Sequence, residues 1–339
     1  MSADLSHLVD VVEAFSRQTI VLYGDLVADE YVFGEISRVS REAPVLILRH
    51  RETQLVPGGG ANAANNLADL GARVLPVGVV GDDAAGRALV DYFRRKKVDT
   101  SGIVRVPGWT TTTKTRYLAG WTHTTRQQVL RVDREPDASV PAKVRAALLR
   151  TARERSRRAA AVLVSDYGCG AVTPGEVRRL RAPLIMLDSR YSMLQYGGAR
   201  ITAATPNEPE LESLYHVRIG NDARRLEQLA ARTLRRMKLQ GLLVTRGKDG
   251  MALFERGRKP HYVPIYGTDQ VADVTGAGDT VIAVFTLALA AGASYQEAAH
   301  LANYAGGIVV MKRGTATVTR DELLAAIRRD ATSSASAPA

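Results

Sequence analysis

Residues 273–280 read Asp-Val-Thr-Gly-Ala-Gly-Asp-Thr, and an apolar run over residues 281–291 follows directly. Gly276 and Gly278 let the backbone turn tightly and remove side chains that would keep an anion away. The apolar run is typical of a buried helix, whose N-terminal N–H groups and dipole favour a negative charge. Asp279 adds a carboxylate in the first turn. Amides beside a proton-accepting carboxylate suit phosphoryl transfer. The alternative is a glycine-rich turn in which Asp279 is an ordinary capping residue.

Composition and charge limit the class of protein. The 339 residues, 45% of them hydrophobic, are enough for one large α/β domain or two smaller ones. The one cysteine, Cys169, excludes an internal disulfide and is typical of a reducing compartment. The first residues lack a secretory pattern, and the longest apolar run is too short for a bilayer, so we expect a cytoplasmic protein without membrane contact. The net charge of +11 is spread along the chain without a nucleic-acid-binding motif, so we expect no nucleic-acid partner.

Short apolar runs alternate with helix-like stretches along most of the chain. The runs predict buried strands over residues 19–27, 73–80, 161–166, 184–188, 201–205 and 241–245. Helical spacing lies between them, over residues 61–70, 84–97, 141–158, 174–181 and 222–237. This alternation predicts an α/β fold with a mostly parallel sheet covered by helices on both faces. In such sheets, ligands bind beyond the carboxyl ends of the strands.

Two segments, residues 31–56 and 105–133, interrupt the alternation. Both are rich in Thr, Val, Ile and Tyr with period-two stretches, and residues 111–118 and 127–132 predict a hairpin. Together they predict a small antiparallel sheet outside the main one. We expect one domain over residues 1–330, and a disordered Ser/Ala/Pro-rich tail over residues 331–339.

Four segments resemble, in family order, the motifs of the PfkB (ribokinase-like) carbohydrate kinases. Besides residues 273–280, they are Pro-Gly-Gly-Gly-Ala-Asn-Ala-Ala-Asn-Asn-Leu-Ala-Asp-Leu-Gly at 57–71, Thr-Pro-Asn-Glu-Pro-Glu at 205–210 and Val-Thr-Arg-Gly-Lys-Asp-Gly at 244–250. The resemblance implies an ATP-dependent carbohydrate kinase with a three-layer α/β/α fold. It also implies that the small sheet is a lid over the sugar and, in many members, a dimer interface, so we expect a homodimer.

The resemblance assigns roles in catalysis. It makes Asp279 the general base that deprotonates a sugar hydroxyl, with an anion hole formed by the backbone N–H groups of Gly276, Ala277 and Gly278. Asp273 has either a direct role or a role in bonding loop amides. Phosphoryl transfer from ATP needs Mg²⁺, which prefers oxygen ligands; a further need for a monovalent cation such as K⁺ stays open.

The resemblance also assigns the ATP and metal residues. Glu210 is expected to act on the metal through waters and Asn207 to lie near the phosphates. The alternative is that Asn207 caps a helix beside a solvated Glu210. Residues expected to bind the nucleotide are Thr245, Arg246, Gly247 and, near the adenine, Asn303. In its apolar helix, Asn303 has the alternative of a buried hydrogen bond.

The candidate sugar site follows the first strand. Asp25 and Asp29 suit hydrogen bonds to sugar hydroxyls, and Asn62 supplies a bidentate amide. Gly59 and Gly60 allow close approach of the backbone to the sugar. The alternative is a plain turn that enters the helix after Gly60.

The lid segments at residues 37–45, 112–116 and 127–133 resemble the heptose-7-phosphate kinase branch, of which the chain has the kinase domain only. That branch makes the sugar 1,7-bisphosphate of D-glycero-D-manno-heptose, by phosphorylating the anomeric hydroxyl, on the way to lipopolysaccharide. The cations available for a substrate phosphate are Arg38, Lys114, Arg116 and Arg131, each with the alternative of a solvated lid face.

Two departures leave other substrates open. The branch usually has lysines where this chain has Cys169 and Arg190. The alternatives are a PfkB kinase of another sugar or sugar phosphate and a non-catalytic sugar- or nucleotide-binding regulator.

Overall fold

The strands of the protein form two sheets. The structure is a computed structural model that describes residues 5–120, 126–267 and 272–335. In chain order the strands are β1 (Thr19–Gly24), β2 (Leu26–Val39), β3 (Leu46–Gly59), β4 (Arg73–Gly81), β5 (Ile103–Val106), β6 (Thr113–Gly120), β7 (Gln127–Arg134), β8 (Ala161–Asp166), β9 (Leu184–Ser189), β10 (Ala203–Ala204), β11 (Gly241–Thr245), β12 (Met251–Glu255) and β13 (His261–Val263).

The larger sheet has nine strands in the order β13-β12-β11-β10-β9-β8-β1-β4-β5. In this sheet β11, β10, β9, β8, β1, β4 and β5 pair in parallel, and β12 and β13 add an antiparallel edge. β1 shows why both faces are covered, since Ile20 and Leu22 pack in one core and Val21 and Tyr23 in the other. The predicted mostly parallel sheet is therefore confirmed.

Helices cover both faces of this sheet. In chain order they are α1 (Leu5–Glu13), α2 (Gly60–Asp69), α3 (Ala84–Arg95), α4 (Ala142–Ser156), α5 (Pro174–Val177), α6 (Glu208–Tyr215), α7 (Ala223–Met237), α8 (Ala277–Ala290), α9 (Tyr295–Val309) and α10 (Arg320–Ala335). The first three and last three pack on one face, and α4 to α7 on the other. α7 is typical: Asp222 caps it, and Leu226, Leu229, Ala230 and Leu234 form one buried stripe. The three-layer α/β/α fold is confirmed. No helix within the described ranges is long and apolar enough to cross a membrane.

The second sheet has the strand order β3-β2-β6-β7 and matches the predicted lid. Its outer pairs, β2–β3 and β6–β7, are antiparallel, whereas the central β2–β6 pair is parallel. The predicted hairpin is the β6–β7 pair; its joining residues 121–125 lie outside the described residues. β2 continues from β1 after one residue, so the lid is attached directly to the carboxyl edge of the main sheet.

Several predicted boundaries differ from the structure. β10 has two residues instead of five, and α5 ends at Val177, because the chain turns through successive tight bends after it. α10 continues to Ala335, so residues 331–335 are helical and not disordered as predicted. The remaining tail residues, 336–339, lie outside the described residues.

Candidate active site

The glycine-rich turn stands at the N-terminus of α8, as predicted. Gly276 is the N-cap residue with φ of +79°, and a Cβ there would lie 2.6 Å from Nδ2 of Asn62, so glycine is required on both counts. A Cβ at Gly278 would meet nothing within 4 Å, which leaves open space on that side of the turn. The Ala277 amide donates to the Val274 carbonyl at 3.2 Å. That amide is engaged within the turn, and the anion hole stays a prediction.

Asp279 lies in the first turn of α8 and is 3% exposed. Its Oδ2 accepts a hydrogen bond from Asn62 Nδ2 at 2.9 Å, and its Oδ1 accepts one from the Tyr167 hydroxyl at 2.7 Å. Burial raises the pKa of Asp279 to about 7, although these two bonds oppose the rise. Asn62 was predicted to bind the sugar, but its amide nitrogen holds Asp279 and its Oδ1 accepts from Asn66.

Asp25 organises the loop that follows β8. Its two oxygens accept the amides of Tyr167, Cys169 and Ala171 at 2.8–2.9 Å. An ionised carboxylate has about four acceptor positions, so one is left for the predicted sugar contact. Burial raises the pKa of Asp25 to about 6 against these bonds.

Gly59 and Gly60 make close contacts with protein atoms. Gly59 has φ of +52°, and a Cβ there would lie 3.3 Å from the Tyr167 ring. A Cβ at Gly60 would lie 2.6 Å from the carbonyl oxygen of Asp25. The absence of side chains therefore lets the end of β3 pack against the Asp25 loop, and the predicted close approach to a sugar stays a prediction.

Asp29 and Arg116 form a buried ion pair between β2 and β6. Arg116 Nη1 donates to Asp29 Oδ1 at 2.7 Å, with the two side chains 11% and 6% exposed. The second oxygen of Asp29 accepts from the Thr315 hydroxyl at 2.6 Å. The sequence predicted that Asp29 would bind sugar hydroxyls and Arg116 a phosphate, but in this structure each is the other's partner.

A cavity of about 500 Å³ lies under the lid. Lys114 and Arg131 line it together with Tyr167, Cys169 and Arg190. Burial, and then the positive charge of Arg190, lowers the pKa of Lys114. Arg131 is bonded to Asp133 through two nitrogens. The structure therefore brings together two of the four cations predicted to hold a substrate phosphate.

Arg38 does not join this cluster. It lies nine residues beyond Asp29 on β2, which corresponds to about 30 Å at the usual rise per strand residue. Its side chain is exposed near the far end of the lid, where it pairs in register with Ile47. Within one chain the length of β2 keeps Arg38 away from Lys114, and the role of Arg38 in holding a substrate phosphate stays a prediction.

Asn207 and Glu210 form the capping box of α6. Asn207 Oδ1 accepts the Glu210 amide at 2.7 Å, and Glu210 Oε2 accepts the Asn207 amide at 3.0 Å. The capping alternative is therefore present, but Glu210 is half-buried and not freely solvated. This burial raises the pKa of Glu210. Both residues line a second cavity of about 500 Å³, and Arg190 borders both cavities.

Two carboxylates near this second cavity are candidates for holding the expected Mg²⁺. Burial, and then the negative charges of Asp279 and Glu210, hold the pKa of Asp188 well above its usual range. Within the described ranges, no three or more His, Cys, Asp and Glu residues are grouped to hold a metal ion. Mg²⁺ in nucleotide sites is held by one or two carboxylates plus phosphates and water, and Glu210 with Asp188 fits that pattern.

Three of the predicted nucleotide residues lie at the end of β11 or just after it, and Asn303 lies on α9. Thr245 forms an isolated parallel bridge with Asn207, which joins the two motifs. Arg246 is bonded to Glu208 at 2.6 Å, and Gly247 has φ of +57° with open space where a Cβ would stand. Asn303 donates to the Pro264 carbonyl at 2.8 Å, which is the buried hydrogen bond that the sequence left as its alternative.

Sequence reasoning did not select Tyr167, Asp188 or Arg190 as site residues. Each follows or ends a strand, β8 or β9, at the carboxyl edge where ligands bind, and this position was the available signal. Thr315 had no such signal, because it reaches Asp29 from a loop 286 residues further along the chain.

Comparison with known proteins identifies a matching family and several relatives that are similar in sequence. A family model described as pfkB family carbohydrate kinase matches residues 17–322. The protein named "Bifunctional protein HldE" of Desulfatibacillum aliphaticivorans is 40% identical over 335 residues, which are 97% of this chain and 66% of that protein. Its namesake in Geobacter metallireducens is 38% identical over 311 residues, which are 90% of this chain and 62% of that protein. The chain thus spans slightly less than two thirds of these relatives.

Solved structures with the same fold include two sugar kinases. Arabidopsis thaliana ribokinase, complexed with ribose and ATP, has a TM-score of 0.70 at 21% identity and covers 92% of this chain and 99% of its own. Escherichia coli phosphofructokinase-2, in complex with substrates and products, has a TM-score of 0.74 at 18% identity with the same coverage. At these identities the likeness shows the fold.

Proposed function

Because the chain belongs to the pfkB family of carbohydrate kinases, as its motifs predicted, we propose that it transfers a phosphoryl group from ATP to a sugar phosphate. The proposed substrate is D-glycero-D-manno-heptose 7-phosphate, phosphorylated on its anomeric hydroxyl to the 1,7-bisphosphate in the cytoplasm. The lid segments that resemble the heptose branch support this choice, and so do the relatives named HldE. The observation that carries the proposal is the buried Asp279 at the glycine-rich turn, which is hydrogen-bonded to Tyr167. Tyr167 lines the lid cavity, whose lining includes the cations Lys114, Arg131 and Arg190.

Asp279 is proposed as the general base. A general base works best when its pKa is near the working pH, and burial raises the pKa of Asp279 to about 7. Asn62 and Tyr167 bond one oxygen each, which leaves acceptor positions for a sugar hydroxyl. The proton of that hydroxyl passes to Asp279 while the sugar oxygen bonds to the γ-phosphorus and the bond to ADP breaks.

The substrate phosphate is proposed to bind Lys114. Its ammonium group is half-buried in the lid cavity, lies 5.3 Å from the centre of the Tyr167 ring and is near the positive charge of Arg190. An added phosphate would relieve the repulsion between these cations through charge-assisted hydrogen bonds. Arg131 can contribute as well, but it shares its charge with Asp133.

The nucleotide is proposed to occupy the second cavity and the adjoining end of β11. Bound Mg²⁺ would neutralise charge on the transferring phosphates, and Glu210 and Asp188 would hold it. Arg190 borders both cavities, so its charge is available between the two substrates.

Release of ADP from a panel of sugars and sugar phosphates tests the proposal. We expect the highest kcat/KM on heptose 7-phosphate and no turnover by Asp279→Asn. A preference for another sugar phosphate would support the second candidate, which the Cys169 and Arg190 departures favour. Absence of turnover on every substrate, with sugar or nucleotide still bound, would identify a regulator.

A homodimer through the lid is proposed for the assembly. Val39, Val45, Leu46 and Leu130 are 44–59% exposed, all on the lid sheet or its connecting loop. A second copy would cover this apolar surface. Light scattering should give a dimer for the wild type and for Val217→Glu, a substitution elsewhere on the surface, and a monomer for Leu130→Glu. A monomeric wild type would contradict the proposal.

A further inference from the structure

The Asp279 carboxylate is held from two different elements. Asn62 of α2 bonds Oδ2 at 2.9 Å, whereas the Tyr167 hydroxyl, from the loop after β8, bonds Oδ1 at 2.7 Å. A carboxylate bonded at both oxygens by donors from two elements has its plane determined. Loss of either donor would leave it free to rotate about its last side-chain bond.

Tyr167 is itself fixed by its surroundings. Its amide donates to the buried Asp25 at 2.8 Å, and its ring lies against Gly59, where a Cβ would be 3.3 Å away. The ammonium group of Lys114 lies 5.3 Å from the ring centre, on the lid side. The tyrosine therefore connects the Asp25 loop, the lid and Asp279, and it has little freedom to turn away from Asp279.

We propose that Tyr167 is a positioning residue for the phosphoryl transfer: its hydroxyl orients the Asp279 carboxylate and favours the ionised, proton-accepting form. This inference rests on the proposed function, in which Asp279 is the base. Tyr167 keeps its own proton throughout. The proton that moves comes from the sugar hydroxyl and goes to Asp279, while the electron pair of the breaking P–O bond leaves with ADP.

The charges around Asp279 are consistent with this role. Burial and the charge of Asp279 raise the pKa of Tyr167 well above its usual range, so the phenol stays a donor at any working pH. The other groups facing Asp279 are Asp29 on β2, Lys114 on β6 and Asp188 on β9. All three remain when only the Tyr167 hydroxyl is removed, so such a variant isolates its contribution.

Tyr167→Phe tests the inference through the pH dependence of kcat. Loss of a hydrogen bond to the ionised form raises the pKa of Asp279, so the acidic limb should move to higher pH by about one unit or more. At pH 6 this corresponds to an activity loss of about ten-fold or more, while the KM for ATP should stay within about two-fold. The matched control is Tyr23→Phe, which removes another buried hydroxyl bonded to a carboxylate, Glu176, at 3.2 Å. Its acidic limb should not move.

Comparison of Asp279→Asn with Tyr167→Phe shows whether the base assignment fails or only the positioning role of Tyr167. If Asp279→Asn keeps its turnover, the base assignment fails and the role of Tyr167 fails with it. If Asp279→Asn is inactive but the acidic limb of the kcat–pH profile is the same in Tyr167→Phe as in the wild type, only the positioning role is overturned. If Tyr167→Phe does not fold, 3,5-difluorotyrosine at position 167 replaces it. This more acidic phenol keeps the ring and donates more strongly, so the limb should move to lower pH, and an unmoved limb would overturn the role.

Discussion

Arg116 donates a 2.7 Å hydrogen bond to Asp29 across the parallel β2–β6 pair, and both side chains are almost fully buried. Two residues that the sequence offered as ligands for different parts of the substrate are thus partners in the protein. Removing one partner leaves the other as an uncompensated buried charge.

The main effect of Arg116→Ala should therefore be a loss of stability, and its effect on substrate affinity should be smaller in free energy. We expect a loss of about 3–5 kcal/mol in the free energy of unfolding, as for other broken buried ion pairs. Arg134→Ala is the matched control, because Arg134 pairs with Glu30 on the lid surface and its side chain is 58% exposed. The control should lose about 1 kcal/mol or less in urea unfolding. Equal losses in the two variants would contradict the buried pair.

Lys114→Ala should raise the KM for the sugar phosphate by about ten-fold or more, because a charge-assisted hydrogen bond to phosphate contributes roughly 1.5–3 kcal/mol. The KM for ATP should change little. Arg38→Ala should leave both constants near those of the wild type, since Arg38 is remote from the lid cavity on its own chain. Steady-state kinetics with each substrate varied in turn measures both effects. A larger effect at Arg38 than at Lys114 would mean that another chain completes the site.

Glu210→Gln should raise the Mg²⁺ concentration needed for half-maximal activity. Glutamine can still accept the Asn207 amide, so α6 should keep its capping box while the charge near the metal is lost. Glu297→Gln makes the same replacement in the capping box of α9, away from both cavities, and should leave the Mg²⁺ titration unchanged. A curve for Glu210→Gln that superimposes on the wild type would remove Glu210 from the metal site.

The stability of Asp279→Asn relative to the wild type should increase as the pH rises from 5 to 8. Burial raises the pKa of Asp279 from 3.8 to about 7, so in this range the folded protein binds more protons than the unfolded chain. Between pH 5 and 8, linkage then lowers wild-type stability by roughly 2–3 kcal/mol from this group. Asparagine does not titrate, so the stability difference, variant minus wild type, should grow with pH. Thermal unfolding at pH 5, 6, 7 and 8 measures it, and a constant difference would show that Asp279 is not a raised-pKa acid.

Ionisation of Asp279 should also control activity, but kcat should rise with pH where the stability of the wild type falls. The base accepts a proton only when ionised, so kcat should fall as the pH drops through about 7. Saturating assays from pH 5.5 to 8.5 check this. An acidic limb centred near pH 4 would be the behaviour of an unburied aspartate.

Local chemistry made much of the fold predictable. The runs that became β4, β8, β9 and β11 are mainly apolar, and the buried polar residues of β8 and β9 lie at the carboxyl ends of those strands. Helical spacing located α2, α3, α4 and α7 within a few residues. The lid was visible because its segments have period two. The length of β10 was overestimated because its apolar run continues beyond the hydrogen-bonded part. The length of α5 was overestimated because the chain turns through tight bends after Val177.

The sequence alone determined the glycine-rich turn and the helix that follows it, because φ freedom, helix propensity and the placement of Asp279 three residues after Gly276 are properties of contiguous residues. Only the tertiary structure decided which side chains each carboxylate meets. Asp25 meets the loop at 167–171, Asp29 meets Arg116, and Asp279 meets Asn62, over separations of 142, 87 and 217 residues, respectively. Hydrogen bonds act over about 3 Å, and over that distance partners are selected by the packing of the sheets and helices and not by spacing along the chain.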